Sequence, residues 1–401
     1  MGRALPMSHL PQGNEGALFH EVLRLGALAM TELNRGAAQP ESDPVVFKIT
    51  AQSLRRLLQF ARRMLGWLTL LYVAGALVVM GALEWGGERL WLLSLLLFAP
   101  PQVMLLPLLI LTPLCVIFRP RLCLWHLALV LVLAFGYMNF RWSGATARTE
   151  MAITAVTFNA GQSNRTQFTE FIEREKPDVV VMQDAGTTLA NFLQTKLPGY
   201  HVARQGEFSC VSRFPIQKSA LLPAPISEGR PVGARFEVVV NAQPMVFYSV
   251  HMPTPRRVLS HFMGGRRILG DLAGLSHRDP LYGSYGEWLT QRIQLARDLR
   301  QVFADEKLPF IVGGDFNMAD HGYIYHLFAG EMTDAFKASG RGWGMTFPGS
   351  TRNPVAGFGP WLRLDYFFAG HGWRAVECRP EPGTKSQHKA VLARFEPQPS
   401  K

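Results

Sequence analysis

Six short polar groups punctuate the chain after Met151: Thr157-Phe158-Asn159, Val181-Met182-Gln183-Asp184, Ser249-Val250-His251, Gly313-Gly314-Asp315-Phe316-Asn317, Arg363-Leu364-Asp365-Tyr366 and Ser386-Gln387-His388. Most of them end or begin a hydrophobic run, and strand ends are where a buried sheet presents reactive side chains. Carboxylates, carboxamides and imidazoles suit one chemistry well. A phosphodiester is a stable anion, so its hydrolysis requires neutralised non-bridging oxygens, an activated water and a stabilised departing oxygen. Carboxylates holding Mg²⁺ or Mn²⁺ meet the first need, because hard oxygen ligands suit such ions. Asp184 is the candidate metal ligand, with Asn159 beside it. Asp315 follows two glycines, read as a tight turn that lets a phosphate approach. Asn317 faces the same side as Asp315 if the strand continues, and its amide can donate to a phosphate oxygen.

Each string also has an ordinary reading. Asp, Asn and Gly are favoured in turns, a single histidine such as His251 is commonly a satisfied core residue, Arg213 reads as a turn or salt-bridge residue, and Tyr366 reads as core. All six strings in one order are much more specific than any one of them.

That order, the approximate spacing and the closing histidine resemble the endonuclease/exonuclease/phosphatase superfamily, which includes pancreatic-type deoxyribonucleases, abasic-site endonucleases, inositol polyphosphate phosphatases and neutral sphingomyelinases. The resemblance covers about Met151 to Phe395, with secondary markers in Ser212-Arg213-Phe214-Pro215-Ile216 and Thr346-Phe347-Pro348. It implies an α/β fold, a four-layer sandwich of two mixed β-sheets flanked by helices. It implies also that Asp315 positions or deprotonates the attacking water, that His251 and His388 hydrogen-bond the scissile phosphate, and that Asp365 orients His388 or raises its basicity. Two positions depart from the family pattern. Gln183-Asp184 stands where the pattern has Gln-Glu, one methylene shorter, and Ser386-Gln387-His388 stands where it has Ser-Asp-His, so Gln387 brings no negative charge.

Positioning these residues requires a folded domain, and from Met151 onward the composition supplies one. The runs AITAVTF, DVVVMQ, MVFYSV and PFIVGGDF read as buried strands, while RTQFTEFIERE and LTQRIQLARDLRQVFADE read as helices. Roughly 250 residues suffice for one large core. Between His251 and the helix near Trp288, Arg256, Arg257, Arg266 and Arg267 interleave with Leu259, Phe262, Met263, Ile268 and Leu269. That mixture suits a lid or a lipid-facing surface, or an ordinary loop with a short amphipathic helix.

The N-terminal part is different in kind. The whole chain is 48% hydrophobic over 401 residues, with a mean hydropathy of +0.07, so part of it is expected in lipid. The net charge of +11 is spread along the chain and partly flanks apolar runs, where it signals topology and not nucleic-acid binding. Leu65 to Leu83 carries no charge and reaches roughly 28 Å as a helix, about the thickness of the hydrocarbon core. Leu90 to Phe118, broken by Pro100, Pro101, Pro107 and Pro113, is too short to cross twice and reads as one kinked span. Leu122 to Tyr137, extended to the interface by Phe140, reads as a third.

The expected organisation is therefore an N-terminal cytosolic segment over 1–62, a transmembrane region over 63–141 with spans at about 65–83, 93–117 and 122–139, and the phosphoesterase-like domain over 150–397. In the segment before the first span, Leu18, Phe19, Val22, Leu25 and Ala29 recur at helical spacing. Arg55, Arg56, Arg62 and Arg63 before the first span, and Arg119 and Arg121 between the second and third, place those segments in the cytoplasm by the positive-inside rule. An odd number of crossings puts the reactive domain outside, which for a bacterial inner membrane is the periplasm. Cys115, Cys123, Cys210 and Cys378 show no zinc or redox spacing.

These readings converge on a membrane-anchored, Mg²⁺- or Mn²⁺-dependent phosphoesterase whose partners are the lipid bilayer and a phosphate-ester substrate, either a lipid headgroup or nucleic acid, with no protein partner expected. The rival is a degenerate domain that binds phosphate-bearing ligands or a protein partner without turnover, motivated by Asp184 and Gln387.

Overall fold

The computed structural model describes residues 51–143, 149–161, 165–224, 226–227, 229–255, 284–349, 357, 359–381 and 386–398. The helix expected around Phe19 and the basic and apolar stretch from Arg256 to Leu269 lie outside them. The chain forms two compact units, Met1–Gln59 and Phe60–Lys401, and of the first only the opening turns of the helix Ala51–Trp85 are described.

Two six-stranded mixed sheets make the core of the second unit. The first runs Trp373–Glu381, Ala390–Pro397, Ile153–Asn159, Val179–Gln183, Phe208–Ser212, His201–Gln205; the second runs Thr333–Asp334, Asp365–Ala369, Phe310–Asp315, Gln243–His251, Gly233–Val240, Ile216–Leu221. Each has one parallel pair near its middle, Ile153–Asn159 with Val179–Gln183 and Gln243–His251 with Phe310–Asp315, and antiparallel partners elsewhere. These central strands are β-branched and buried along nearly their whole length, as expected of strands covered on both faces.

Alternation sorts their side chains into layers. Ala155, Val179, Val181 and Cys210 point inward to meet Phe236, Phe247, Ile311 and Phe367 between the sheets. Val156, Phe158, Val180 and Met182 point outward beneath the helices Arg165–Glu175 and Gly186–Lys196, which bury Phe168, Phe171, Ile172 and Leu193 against them. On the other side, Val246, Tyr248, Val312 and Phe368 meet Leu299 and Phe303 of the helix Tyr285–Asp305 and Phe328 of Tyr323–Ala329. The result is the expected four-layer α/β sandwich. Each fully buried aromatic contributes roughly 1.5–3 kcal/mol. All four cysteines are free.

Three helical stretches are long and apolar enough to cross a membrane, Gln52–Trp85, Pro101–Phe118 and Pro120–Tyr137. The run read from sequence as one span over 93–117 is divided. Pro100 and Pro101 interrupt the helical hydrogen-bond ladder, leaving the short helix Trp91–Leu97 on one side and 101–118 on the other. Trp91 and Leu95 pack on Tyr285, Trp288 and Leu289 of the sandwich, and Ser94 Oγ lies 2.9 Å from Tyr285 Oη.

Further contacts join the same two regions. Glu88 Oε2 accepts from the Ile324 N–H at 3.3 Å, His326 Nε2 is 2.9 Å from Glu84 Oε1, and Asn139 Nδ2 donates to Asp320 Oδ2 at 2.9 Å. Gly87 has φ +42°, and a Cβ there would lie 2.8 Å from the Tyr323 nitrogen, so the chain can pass this closely only as glycine. At the far end of the apolar helices, Arg119 Nη1 donates to the Arg62 carbonyl at 3.2 Å.

Candidate active site

Sheet register assembles the site. His251 lies opposite Asp315 on the neighbouring parallel strand, and Asp315 lies opposite Asp365 on the next, antiparallel one. In the facing sheet, Asn159 ends its strand opposite Gln183, and the strand Ala390–Pro397 places His388 just ahead of its first residue. The two sheets are tied beneath the site by Gln183 Nε2, which donates to Ser249 Oγ at 2.8 Å, and by Ser249 Oγ, which donates to the Met182 carbonyl at 3.1 Å. Gln183 and Ser249 are wholly buried, so the residues beside the reactive ones serve as a link between layers.

Asp315 is the centre. Its Oδ2 accepts from Asn159 Nδ2 at 2.8 Å and its Oδ1 from the Asn317 N–H at 3.0 Å. His251 Nε2 and His388 Nε2 each stand 3.7 Å from the same Oδ2. Each imidazole is held through its other nitrogen by a further carboxylate at 2.9 Å, His251 Nδ1 by Glu207 Oε1 and His388 Nδ1 by Asp365 Oδ2. A carboxylate on Nδ1 fixes ring orientation and favours the charged ring. Burial alone would lower the His251 imidazole, but the Glu207 hydrogen bond and the charges of Asp315, Glu207 and Asp184 raise it. Burial raises the Asp365 carboxyl, with His388 opposing and Asp315 reinforcing.

All seven residues singled out in the sequence belong to this neighbourhood. Asn159, Asp184, His251, Asp315, Asn317 and His388 line one cavity of about 580 Å³, and Asp365 lies behind His388. Asp184 stands at its edge with φ +49°, half-buried, its carboxyl raised by burial and by Glu207, against the pull of His251 and Arg230.

Two local expectations are corrected. Gly313 and Gly314 are not a turn but the last interior positions of a strand. A Cβ on Gly314 would lie 2.1 Å from the Val250 carbonyl oxygen, and one on Gly313 would lie 2.6 Å from the Phe367 ring, so glycine is required by strand and layer packing and not by phosphate access. The strand ends at Asp315, and Asn317 takes the left-handed φ of +48° with Nδ2 donating to the Met252 carbonyl at 2.9 Å. Its side chain still borders the cavity, with one amide hydrogen committed to that carbonyl.

Three contributors were given no role in the sequence, Thr346 having served only as part of a secondary marker. Glu207 follows Gly206 in the turn between His201–Gln205 and Phe208–Ser212, and no motif marks it. Thr346 Oγ1 accepts from the Leu364 and Asp365 N–H groups at 3.1 and 3.2 Å. Arg292, buried inside the helix Tyr285–Asp305, donates to the carbonyls of Pro253, Phe316 and Asn317 and so fixes the loop after Asp315.

The donor set fits a divalent cation. Ligand atoms of Asp315, Asp365 and His388 lie within 4.8 Å of one another. Asp315 and Asp365 are 1% and 2% exposed, and two adjacent buried carboxylates call for positive charge. Asp365 Oδ1 has no hydrogen-bond partner among the described residues. Asn159 and Asp184 add oxygens to the same cavity. The set is rich in hard oxygen donors, as Mg²⁺ and Mn²⁺ prefer.

Residues 156–388 match the sequence pattern of the Endonuclease/Exonuclease/phosphatase family. The chain belongs to that family. No curated protein matches it. Solved structures similar to it include an endonuclease/exonuclease/phosphatase from Bacteroides vulgatus, 20% identical over 62% of this chain and 100% of that one with a TM-score of 0.44. Others are a humanized D. rerio TDP2, 14% identical over 62% and 100% with a TM-score of 0.42, and a Bacteroides thetaiotaomicron mannosyl-6-phosphatase, 16% identical over 61% and 99% with a TM-score of 0.42. The family match spans all six polar strings from end to end.

Proposed function

We propose that this family member hydrolyses a phosphoester with the help of a bound divalent cation, and that it does so while anchored in a membrane. The observation that carries the reading is the arrangement around Asp315, a buried carboxylate flanked at 3.7 Å by two imidazoles, each braced by its own carboxylate. Bound Mg²⁺ or Mn²⁺, held by Asp315, Asp365 and His388 with Asn159 and Asp184 in reach, would neutralise charge on the phosphate. Asp315 orients the attacking water and accepts its proton as the water oxygen bonds to phosphorus. The bond to the leaving oxygen breaks, and the His251 imidazole, braced by Glu207, supplies that oxygen with a proton from Nε2. Asn317 fixes the approach through its remaining amide hydrogen. A binding module without turnover has no need of two braced imidazoles around one carboxylate.

The membrane side of the proposal rests on which ends of the apolar helices meet. Glu84 at the end of the first stretch, Glu88 and Ser94 just after it and Asn139 after the third all touch the sandwich. The Arg119 loop meets Arg62 at the opposite end. That pattern supports three crossings with the arginines inside and the reactive domain outside, in the periplasm of a bacterial host.

Hydrolysis of bis-p-nitrophenyl phosphate by the full chain in nanodiscs, with Mg²⁺ or Mn²⁺ and with EDTA, tests the first half. Cation-dependent release of nitrophenol is expected, and none under any cation would end the reading. For sidedness, a C-terminal alkaline phosphatase fusion should be active and a green fluorescent protein fusion dark; the opposite pair would put the domain in the cytoplasm.

A further inference from the structure

The cavity around Asp315 is not closed by the sandwich alone. Phe98, which follows the helix Trp91–Leu97 of the apolar region, lines it, together with Phe347, Trp361, Leu362 and Leu364. One wall therefore carries the carboxylates and imidazoles, and another is apolar and partly built by the membrane-anchoring segment.

Trp361 and Leu362 also reach beyond this cavity. With Met138 and Met345, and with Asp320, His321 and Arg363, they line a small void of about 10 Å³. Those two methionines in turn line a second cavity of about 590 Å³, whose walls include Leu105, Val130, Leu133 and Ala134 of the membrane-crossing stretches. Unbranched methionine side chains can yield to a passing chain. The same stretches present Leu109 and Ile110 at 72% and 68% exposure, which is the surface a bilayer would cover. Phe98 and Trp361, which line the cavity at Asp315, thus also pack against the apolar cluster that includes Leu97, Leu133 and Met138.

We infer that the substrate is a membrane amphiphile, its phosphoester headgroup at Asp315, His251 and His388 and its hydrocarbon tail held by Phe98, Trp361 and Leu362 on the way to the bilayer. The inference rests on the phosphoesterase reading and narrows its substrate class. Phe98, Trp361 and Leu362 determine specificity and take no part in the chemical step. Each tail methylene buried there improves binding roughly fourfold.

Ethyl and dodecyl 4-nitrophenyl phosphate share one leaving group and differ in tail alone. With the full chain in phosphatidylcholine nanodiscs, the dodecyl ester should exceed the ethyl ester in kcat/KM by at least about a hundredfold. Partitioning into the bilayer also favours the dodecyl ester, but it is indifferent to the cavity wall. The decisive quantity is therefore the dodecyl-to-ethyl ratio, which Phe98→Ala and Trp361→Ala should each lower at least tenfold. A dodecyl phosphodiester with a terminal diazirine, irradiated with the wild-type chain, should label peptides containing Phe98, Met138 or Met345. A ratio unchanged in both variants, or label confined to lipid-facing positions such as Leu109, would overturn the inference. If neither ester is cleaved, the phosphoesterase reading fails, and the labelling pattern alone decides whether a tail site exists.

Discussion

Two regions of this molecule bury polar groups, and they use them differently. Around Asp315 the buried carboxylate faces a cavity, and Asp365 behind His388 keeps Oδ1 without a hydrogen-bond partner among the described residues. Where the apolar helices sit on the sandwich, buried polar groups reach protein partners, Glu88 Oε2 to the Ile324 N–H, Ser94 to Tyr285 and Asn139 to Asp320, although Glu88 Oε1, like Asp365 Oδ1, has none among the described residues. Polar groups that face a cavity keep capacity for substrate and cation, while those that cross an interface fix orientation. Arg292 belongs to both regions, since it fixes the loop after Asp315 and its charge acts on Glu88, whose carboxyl is raised by burial.

Perturbing that shared residue should have the largest effect. Arg292→Ala is expected to cost about 3–5 kcal/mol, because it strips a buried charge from three carbonyls, and to depress turnover with stability. Thermal unfolding of the detergent-solubilised chain checks this, and a loss below about 1 kcal/mol would separate the two regions. Glu88→Ala should cost about 1–3 kcal/mol, the penalty for leaving a buried N–H unpaired, while turnover of a soluble phosphodiester stays within about twofold. A collapse of turnover in that variant would mean that the seat shapes the chemistry.

Smaller effects lie farther from both. Ser284 and Glu287 form a capping box at 3.1 and 2.9 Å, so Ser284→Ala should cost about 1 kcal/mol and leave turnover intact. Glu306 gives a pH signature. Burial would raise its carboxyl, but bonds from Arg235, the Leu308 N–H and Tyr248 bring it down to about 2. A depressed carboxylate stabilises fully above its ordinary value and loses that contribution as pH falls through about 2. Unfolding midpoints should therefore decline below about pH 4.5, less steeply in Glu306→Gln. Parallel slopes would show that this carboxylate contributes nothing.

The difference between the regions also explains what could be read from the sequence. The strands that hold Asn159, His251 and Asp315, and the one that leads into Asp184, announce themselves as hydrophobic runs that end in polar residues, and their neighbours in the sheet follow from the fold the motifs resemble. Glu207 was not legible, because it reaches His251 from a hairpin turn and only tertiary packing brings them together. Gly313 and Gly314 were misread, since strand and turn both admit glycine and the deciding fact is the carbonyl of Val250 beside it. The seat was hidden for a further reason. Glu88 and Ile324 are 236 residues apart and Ser94 and Tyr285 are 191 apart, and a buried glutamate beside an apolar run reads locally as an interruption. Edge strands such as Ile216–Leu221 mix exposed polar and half-buried residues and give no clear period.

The central claim is that the chemistry turns on Asp315 between its two braced histidines. Its most direct test is cation-dependent hydrolysis of bis-p-nitrophenyl phosphate by Asp315→Asn, an isosteric change that keeps the shape of the site, in protein whose unfolding midpoint matches wild type. Turnover should fall by at least roughly a hundredfold, the usual contribution of a general base or phosphate-orienting group. Wild-type turnover in that folded variant would contradict the account.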